Sequence, residues 1–199
     1  MFFKKNKKDL TEQLVELWGK DANAENNAKV FALATRLAEE NQENIDAVYI
    51  LAQCYYVGIG TEINYDKAVE LFNLLANNET FDADNDVKFQ IKYGDALEKL
   101  GDNSCLTWYG KAARNGDQYS AIDVANLLLE SNLMIDIPYE QRYALAVAYY
   151  KRAVEIGEDE KVTHFAQDSM AIWAVKNEKL RPLEIEKQKA IMKILEDLV

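Results

Sequence analysis

Residues 47–76 read AVYILAQCYYVGIGTEINYDKAVELFNLLA and contain the clearest structural pattern in the sequence. Its apolar residues recur at three- and four-residue steps on either side of a short polar break, which predicts two amphipathic helices joined by a turn. Gly58 and Gly60 allow positive φ in that turn, and Asn64 is suited to cap the second helix. Because alanines at the crossing points let helices approach closely, the stretch predicts a packed helix pair.

The second-helix part of this pattern returns twice further along the chain. Residues 105–117 read CLTWYGKAARNGD, and residues 146–158 read AVAYYKRAVEIGE. Each has a small residue, a pair of aromatic residues, further small residues and then glycine. One helix pair cannot bury its apolar stripes alone, so repeated pairs predict a stacked array of helices.

Helical periodicity runs through the whole chain, and strand-like alternation is absent from the sequence. We therefore expect an all-α protein of about ten helices. The expected helices lie near residues 9–18, 24–41, 44–57, 65–77, 84–100, 103–115, 117–130, 138–156, 158–176 and 182–197. Short polar breaks between them predict antiparallel neighbours.

These motifs resemble the Sel-one-like repeat family, a relative of the tetratricopeptide repeat. Residues 47–76 follow the family pattern well, with Leu71-Phe72 in place of the family's Trp-Tyr. Two later stretches, 89–116 and 120–157, follow it less completely. The resemblance implies a right-handed α-solenoid of antiparallel helix pairs.

The resemblance covers about residues 47–165, so a single helical-repeat domain over residues 1–199 is expected. Its repeats would occupy residues 44–157, while the less typical helices at 1–43 and 158–199 would cap the two ends. The chain is longer between the first two repeats than between the next two. That insertion, residues 77–87, is a candidate functional loop.

The composition restricts the function classes. Lys and Arg number 23 against 34 Asp and Glu, so the net charge is −11 at pH 7. Nucleic-acid binding requires cations against phosphates, so we expect none, whereas an acidic surface complements a basic protein. One His and two Cys leave little material for histidine-based catalysis or a transition-metal site, and no phosphate-binding or nucleophile motif is found.

Two features are candidates for chemistry. Asp82, Asp84 and Asp86 resemble part of a calcium loop, but the glycine and the bidentate glutamate of such a loop are missing at the required spacing. His164 has no companion histidine anywhere in the chain. We therefore expect no enzymatic activity, no cofactor and no metal. An enzyme or metal protein that uses the acidic cluster or His164 is the alternative of another class.

The sequence shows no signal peptide, because no apolar stretch follows the basic residues 1–9, and no run approaches the roughly 20 apolar residues of a spanning helix. A cytoplasmic location is therefore expected. Cys54 and Cys105 form no C-x-x-C pair, so we expect two buried thiols, and a disulfide between them stays open.

The resemblance also implies where a partner binds. In the related tetratricopeptide pattern, the first helix of each pair lines a concave groove at fixed slots. Carried over to this sequence, the slots fall on Asp46, Tyr49, Gln53, Tyr56, Lys88, Ile91, Asp95, Glu98, Tyr119, Ile122, Asn126, Glu130, Glu160, Thr163 and Gln167. This groove would be rich in acids and in tyrosine, a frequent interface anchor. Packing between repeats is the alternative for Tyr49 and Tyr119. Other aromatic residues are expected in the core: Tyr55, Phe72, Trp108, Tyr109, Tyr149 and Tyr150.

The sequence thus favours a non-enzymatic module that binds a protein or peptide through its concave face. A sharper hypothesis is an immunity protein that neutralises a basic toxin or effector, since the chain is small and acidic and shows no catalytic or export motif. A general signalling or assembly adaptor is the alternative, and charge alone does not separate the two. The partner's identity and the oligomeric state stay open.

Overall fold

The computed structural model describes residues 7–20, 23–130 and 137–178, and every regular element in these ranges is an α-helix. The all-α prediction is confirmed. Helices appear at nine of the ten expected positions, and the tenth expected helix, 182–197, lies outside the described residues. Contacts divide the chain into two compact units, residues 1–83 and 84–199. The single domain expected from the sequence stays a prediction.

The first unit contains four helices, α1 (Lys7–Trp18), α2 (Ala24–Glu40), α3 (Ile45–Val57) and α4 (Tyr65–Ala76). Helix α3 packs against both α2 and α4, and its buried residues include Ala47, Val48 and Leu51. The expected cap is confirmed, since the Asn64 side chain accepts a hydrogen bond from the backbone N–H of Lys67 at 3.0 Å. Such a cap satisfies one of the backbone donors left unpaired at the start of α4.

Gly60 allows the α3–α4 turn to lie in close contact with α2. Its φ is +70°, in the left-handed region that side chains disfavour. A Cβ at this position would collide with the carbonyl of Asn27 and lie 2.8 Å from the Cβ of Phe31. Only glycine therefore lets this turn lie against α2.

The second unit contains five helices, α5 (Val87–Lys99), α6 (Cys105–Arg114), α7 (Gln118–Glu130), α8 (Tyr139–Ile156) and α9 (Glu160–Lys176). Each helix packs against the next, and α9 also contacts α7. Tyr109, Tyr143 and Tyr150 are among its largest fully buried side chains. Burying a side chain of this size contributes a large share of the core's stability.

The aromatic residues expected in the core divide into two groups. Phe72, Tyr109 and Tyr150 are buried. Tyr55, Trp108 and Tyr149 are only half-buried. Trp108 packs against the ring of Tyr93, with 4.7 Å between the ring centroids.

Helix α5 begins three residues later than the sequence predicts. Asp86 caps it by accepting a hydrogen bond from the backbone N–H of Phe89 at 3.0 Å, so the helix starts at Val87 rather than at residue 84. Asp84 instead forms an ion pair with Lys111, with 2.7 Å between the charged atoms. In the preceding part of the 77–87 insertion, the ring of Phe81 lies 6.3 Å from that of Tyr49.

Both cysteines are free thiols with no exposed surface, as the sequence predicts. Burial raises the pKa of Cys54 and of Cys105 to about 12. These thiols are therefore protonated and unreactive at neutral pH. None of the helices in the described ranges has the length and apolar character needed to cross a bilayer.

Candidate functional site

Acidic side chains of α5 and α7 lie close enough in the second unit for their charges to interact. Tyr109, on α6, donates its buried hydroxyl to a carboxylate oxygen of Asp95 at 2.6 Å and lies 2.8 Å from one of Glu98. Gly94 makes this possible, because a Cβ there would lie 2.8 Å from the Tyr109 ring. Burial and the two carboxylates raise the pKa of Tyr109, so its hydroxyl stays protonated.

Asp123 adds a third carboxylate from α7. Loss of solvent around its carboxyl, together with the smaller effect of the charges of Glu98, Asp95 and Asp117, raises its pKa to about 6. The side chain nevertheless reaches the surface. We call Asp95, Glu98 and Asp123 the acidic cluster of the second unit. At neutral pH these carboxylates concentrate negative charge on one small area.

An apolar groove runs between α7 and α9 beside the acidic cluster. It has a volume of about 190 Å³ and is lined by Tyr119, Ile122, Asp123, Lys161, Val162 and Phe165. The side chains of Tyr119 and Phe165 are 57% and 47% exposed, which is high for aromatic residues. Tyr119 donates its hydroxyl to Asp159 at 2.7 Å, which fixes the direction of its ring.

Gln118 fastens the start of α9 to the start of α7. Its fully buried amide nitrogen lies 2.9 Å from the carbonyl oxygen of Ala153 and 2.9 Å from the hydroxyl of Thr163. Its amide oxygen accepts from the backbone N–H of Asp159 at 2.6 Å. Buried hydrogen bonds of this kind are costly to break, so the groove is held in shape before any partner arrives.

The structure brings some predicted slots together and gives others different surroundings. Asp95 and Glu98 share the hydroxyl of Tyr109, and Tyr119 and Ile122 line the groove. Thr163 serves the hydrogen-bond network around Gln118. The remaining slots of the second unit are Lys88, Glu160 and Gln167, which are exposed; Ile91 and Asn126, which are half-buried; and Glu130, whose side chain lies outside the described residues.

In the first unit, the predicted slots are less accessible. Asp46 is exposed, but Gln53 is buried at 1% exposure. Tyr49 and Tyr56 are half-buried, and the Tyr56 ring lies 6.2 Å from that of Tyr65. The apolar groove described above has its lining in the second unit, which makes that unit the stronger candidate for binding.

Sequence reasoning missed four residues of the site: Asp123, Lys161, Val162 and Phe165. The signal for the first was present, since residues 119, 122, 123 and 126 follow the i, i+3, i+4, i+7 spacing of one helix face. The positions carried over from the tetratricopeptide repeat include only some residues of this helix face, and they leave out Asp123. The three residues on α9 could be identified as part of the site only from the packing of α9 against α7.

Two of the acidic residues considered for metal chemistry have structural roles. Asp86 caps α5 and Asp84 pairs with Lys111, which lowers the pKa of Asp84 through their hydrogen bond. His164 is exposed on α9. Within the described ranges, no group of three or more His, Cys, Asp or Glu side chains could hold a metal ion.

Comparison with protein families identifies the repeat. The family model described as Sel1 repeat matches residues 45–79, 92–117 and 140–158. Three stretches of the chain thus match the Sel1 repeat. The first match covers α3 and α4, the second runs from within α5 into the turn after α6, and the third lies on α8 and the glycine turn that follows it.

Solved structures with Sel1 repeats share this fold. One is a protective antigen of uropathogenic Escherichia coli that displays an SLR fold. Its sequence is 19% identical, and the superposition has a TM-score of 0.57 and covers 95% of this chain and 38% of the antigen's chain. Another is a Sel1 repeat protein from Oxalobacter formigenes, 18% identical at a TM-score of 0.53, over 84% of this chain and 64% of its own. The chain thus spans less than two thirds of either relative. No curated protein matches the sequence.

The Sel1 repeat narrows the general type of function. Sel1 repeats generally mediate protein–protein interaction, and proteins built from them are typically non-enzymatic. No catalytic family is indicated for this chain.

Proposed function

We propose that this Sel1-repeat chain is a non-catalytic module that binds a basic protein partner through the α5, α7 and α9 face of its second unit. The observation that carries the proposal is the acidic cluster of Asp95, Glu98 and Asp123 beside exposed aromatic side chains. Charge of one sign steers an oppositely charged partner toward the surface, and aromatic residues supply contact area once it arrives.

The net charge of −11 supports a finer proposal, that the partner is a basic toxin or effector which this chain neutralises as an immunity protein in the cytoplasm. Immunity to a toxin requires fast association, which charge complementarity provides. A signalling or assembly adaptor would use the same face for a different purpose. The immunity protein and the adaptor predict different outcomes for a cell that makes the partner without this chain. Only a toxic partner would stop the growth of that cell.

The test is capture of partners on the full-length chain at low and high salt, followed by mass spectrometry. A double variant, Glu98→Gln with Asp123→Asn, removes two charges and keeps the hydrogen-bond acceptors. A matched control, Asp66→Asn with Glu70→Gln, removes two exposed charges from α4 in the first unit. We expect a basic protein that is retained by the parent chain and the control but released by the double variant or by salt.

Retention that is unchanged by the double variant would overturn the proposed face. If a basic protein is identified, its expression with and without this chain separates the two finer functions. Growth arrest that this chain relieves supports the immunity protein. Normal growth in both cases argues for the adaptor.

A further inference from the structure

The groove between α7 and α9 has the size of a site for one side chain. Its volume of about 190 Å³ is below the roughly 300–1,000 Å³ of sites that enclose whole small molecules. Ile122 and Val162 contribute aliphatic surface, and the exposed rings of Tyr119 and Phe165 stand beside them. Large apolar side chains exposed on two adjacent helices are a common mark of an interaction site.

The charges around the groove select the chemistry of its occupant. Asp123 is part of the lining, and Asp159 holds the Tyr119 hydroxyl at one end. The negative charges of Asp95, Glu98 and Asp117 lie close enough to Asp123 to repel the charge of its carboxylate. Lys161 is the one cation in the lining. The excess of carboxylates favours a segment with positive charge and opposes an acidic one.

We propose that this groove receives a large apolar side chain from a basic segment of a partner protein, with a neighbouring lysine or arginine of that segment beside Asp123. The inference rests on the proposed function and makes it more specific. It names the part of the face that anchors the partner and the two side-chain types that the partner must present. An anchor in a groove with charges at its rim is the usual arrangement of a small interface hot spot.

The probe for this groove is the tripeptide amide acetyl-Leu-Arg-Leu, titrated into the isotopically labelled full-length chain and followed by NMR. Two control peptides change one property each. Citrulline in place of arginine keeps the shape and removes the charge, and alanine in place of both leucines removes the anchor. The variant Phe165→Ala removes one wall of the groove, and Ile172→Ala changes another exposed apolar residue of α9 that lies outside the lining.

We expect saturable shifts of the Ile122, Val162 and Phe165 amides with the arginine peptide at millimolar concentrations. Affinity should fall at least about threefold with citrulline, and the shifts should vanish with the alanine peptide and in Phe165→Ala, but not in Ile172→Ala. Shifts that map elsewhere would overturn the proposal, as would equal affinity for the citrulline peptide. Shifts of the same amides on concentrating the chain alone would identify a second copy as the occupant and also overturn it.

The partner-capture experiment separates this inference from the proposed function. If Phe165→Ala retains the captured partner while Glu98→Gln with Asp123→Asn releases it, the face is correct and the groove assignment is wrong. If the double variant retains the partner, the proposed function fails whatever the peptides do.

Discussion

At the scale of single residues, the Tyr109 hydroxyl positions the carboxylates of Asp95 and Glu98 on α5. One phenolic proton lies between two carboxylates, at 2.6 Å from Asp95 and 2.8 Å from Glu98. Hydrogen bonds to charged acceptors are stronger than neutral ones, and this donor is itself buried. The hydroxyl therefore contributes both to the stability of the second unit and to the position of the acidic cluster.

Replacing Tyr109 with phenylalanine should lower the free energy of unfolding by about 1–2 kcal/mol, because the carboxylates lose a buried donor. The matched change, Tyr119→Phe, removes a hydroxyl that also binds a carboxylate but at an exposed site, where water replaces it, so its cost should be clearly smaller. Urea denaturation of the three proteins measures both values. Equal losses in the two variants would mean that burial does not strengthen the Tyr109 hydrogen bonds.

Asp123 should make the protein less stable as the pH rises from about 5 to 7. Its folded-state pKa of about 6 lies above the usual aspartate value of 3.8, so the folded chain binds the proton more tightly than the unfolded chain does. The stabilisation is present in the protonated state and is lost as the pH rises through 6. Asp84 and Asp159, whose pKa values are lowered, act in the opposite direction and only at more acidic pH.

Asp123→Asn should remove this pH dependence and unfold at higher urea than the parent at pH 7.5. Denaturation curves at half-unit steps between pH 5 and 7.5 measure the slope. Asp168→Asn, on the exposed surface of α9, is the control and should keep the parent's slope. If the free energy of unfolding of the parent chain does not change between pH 5 and 7.5, the raised pKa of Asp123 is contradicted.

At the scale of helices, the turn glycines of the helix pairs differ in what they contribute. Gly60 and Gly101 both have positive φ, near +70°. A Cβ on Gly60 would meet Asn27 and Phe31, whereas one on Gly101 would meet nothing within 4 Å. The pair therefore separates the cost of the backbone conformation from the cost of a collision.

Gly60→Ala should destabilise the chain by about 2–4 kcal/mol, because left-handed strain adds to overpacking against α2. Gly101→Ala carries only the strain and should cost about 1 kcal/mol. Thermal or urea unfolding of the two variants gives the difference. If the two alanines cost the same, the approach of the turn to α2 is looser than the distances indicate.

The sequence predicted the helices well because their signals are local. Asn64 caps α4, and Gly58 ends α3 with a φ of +83°, as the motif at 47–76 indicates. The start of α5 was placed too early because Asp84 is engaged by Lys111, 27 residues away, and no local signal shows such a contact. Helix pairs are recognisable from spacing alone, whereas contacts between pairs are not.

The candidate site could be predicted only in part for the same reason. Asp95, Glu98, Tyr119 and Ile122 follow from the repeat pattern, and they all lie at the acidic cluster or in the groove. Phe165 could not be found this way, because its importance depends on α9 packing beside α7.

At the scale of the whole molecule, acidic residues outnumber basic ones by 34 to 23. The chain carries 34 acidic residues, yet the described part holds no cluster suited to a metal ion. Ligands that bind only the folded state raise the melting temperature, so added metal offers a direct check. We expect the melting temperature to stay within about 1 °C in millimolar calcium, micromolar zinc or EDTA, because a bound ion would shift it by several degrees. A rise with either metal that EDTA reverses would contradict this expectation.

The buried amide of Gln118 has a consequence for the speed of recognition. Because its hydrogen bonds already join the starts of α7 and α9, no closing motion has to precede or follow the arrival of a partner. Observed association rates should then increase linearly with partner concentration, without the plateau that a slow rearrangement imposes. The Asp159 amide hydrogen, bonded to Gln118 at 2.6 Å, should exchange with solvent only on the time scale of unfolding of the second unit.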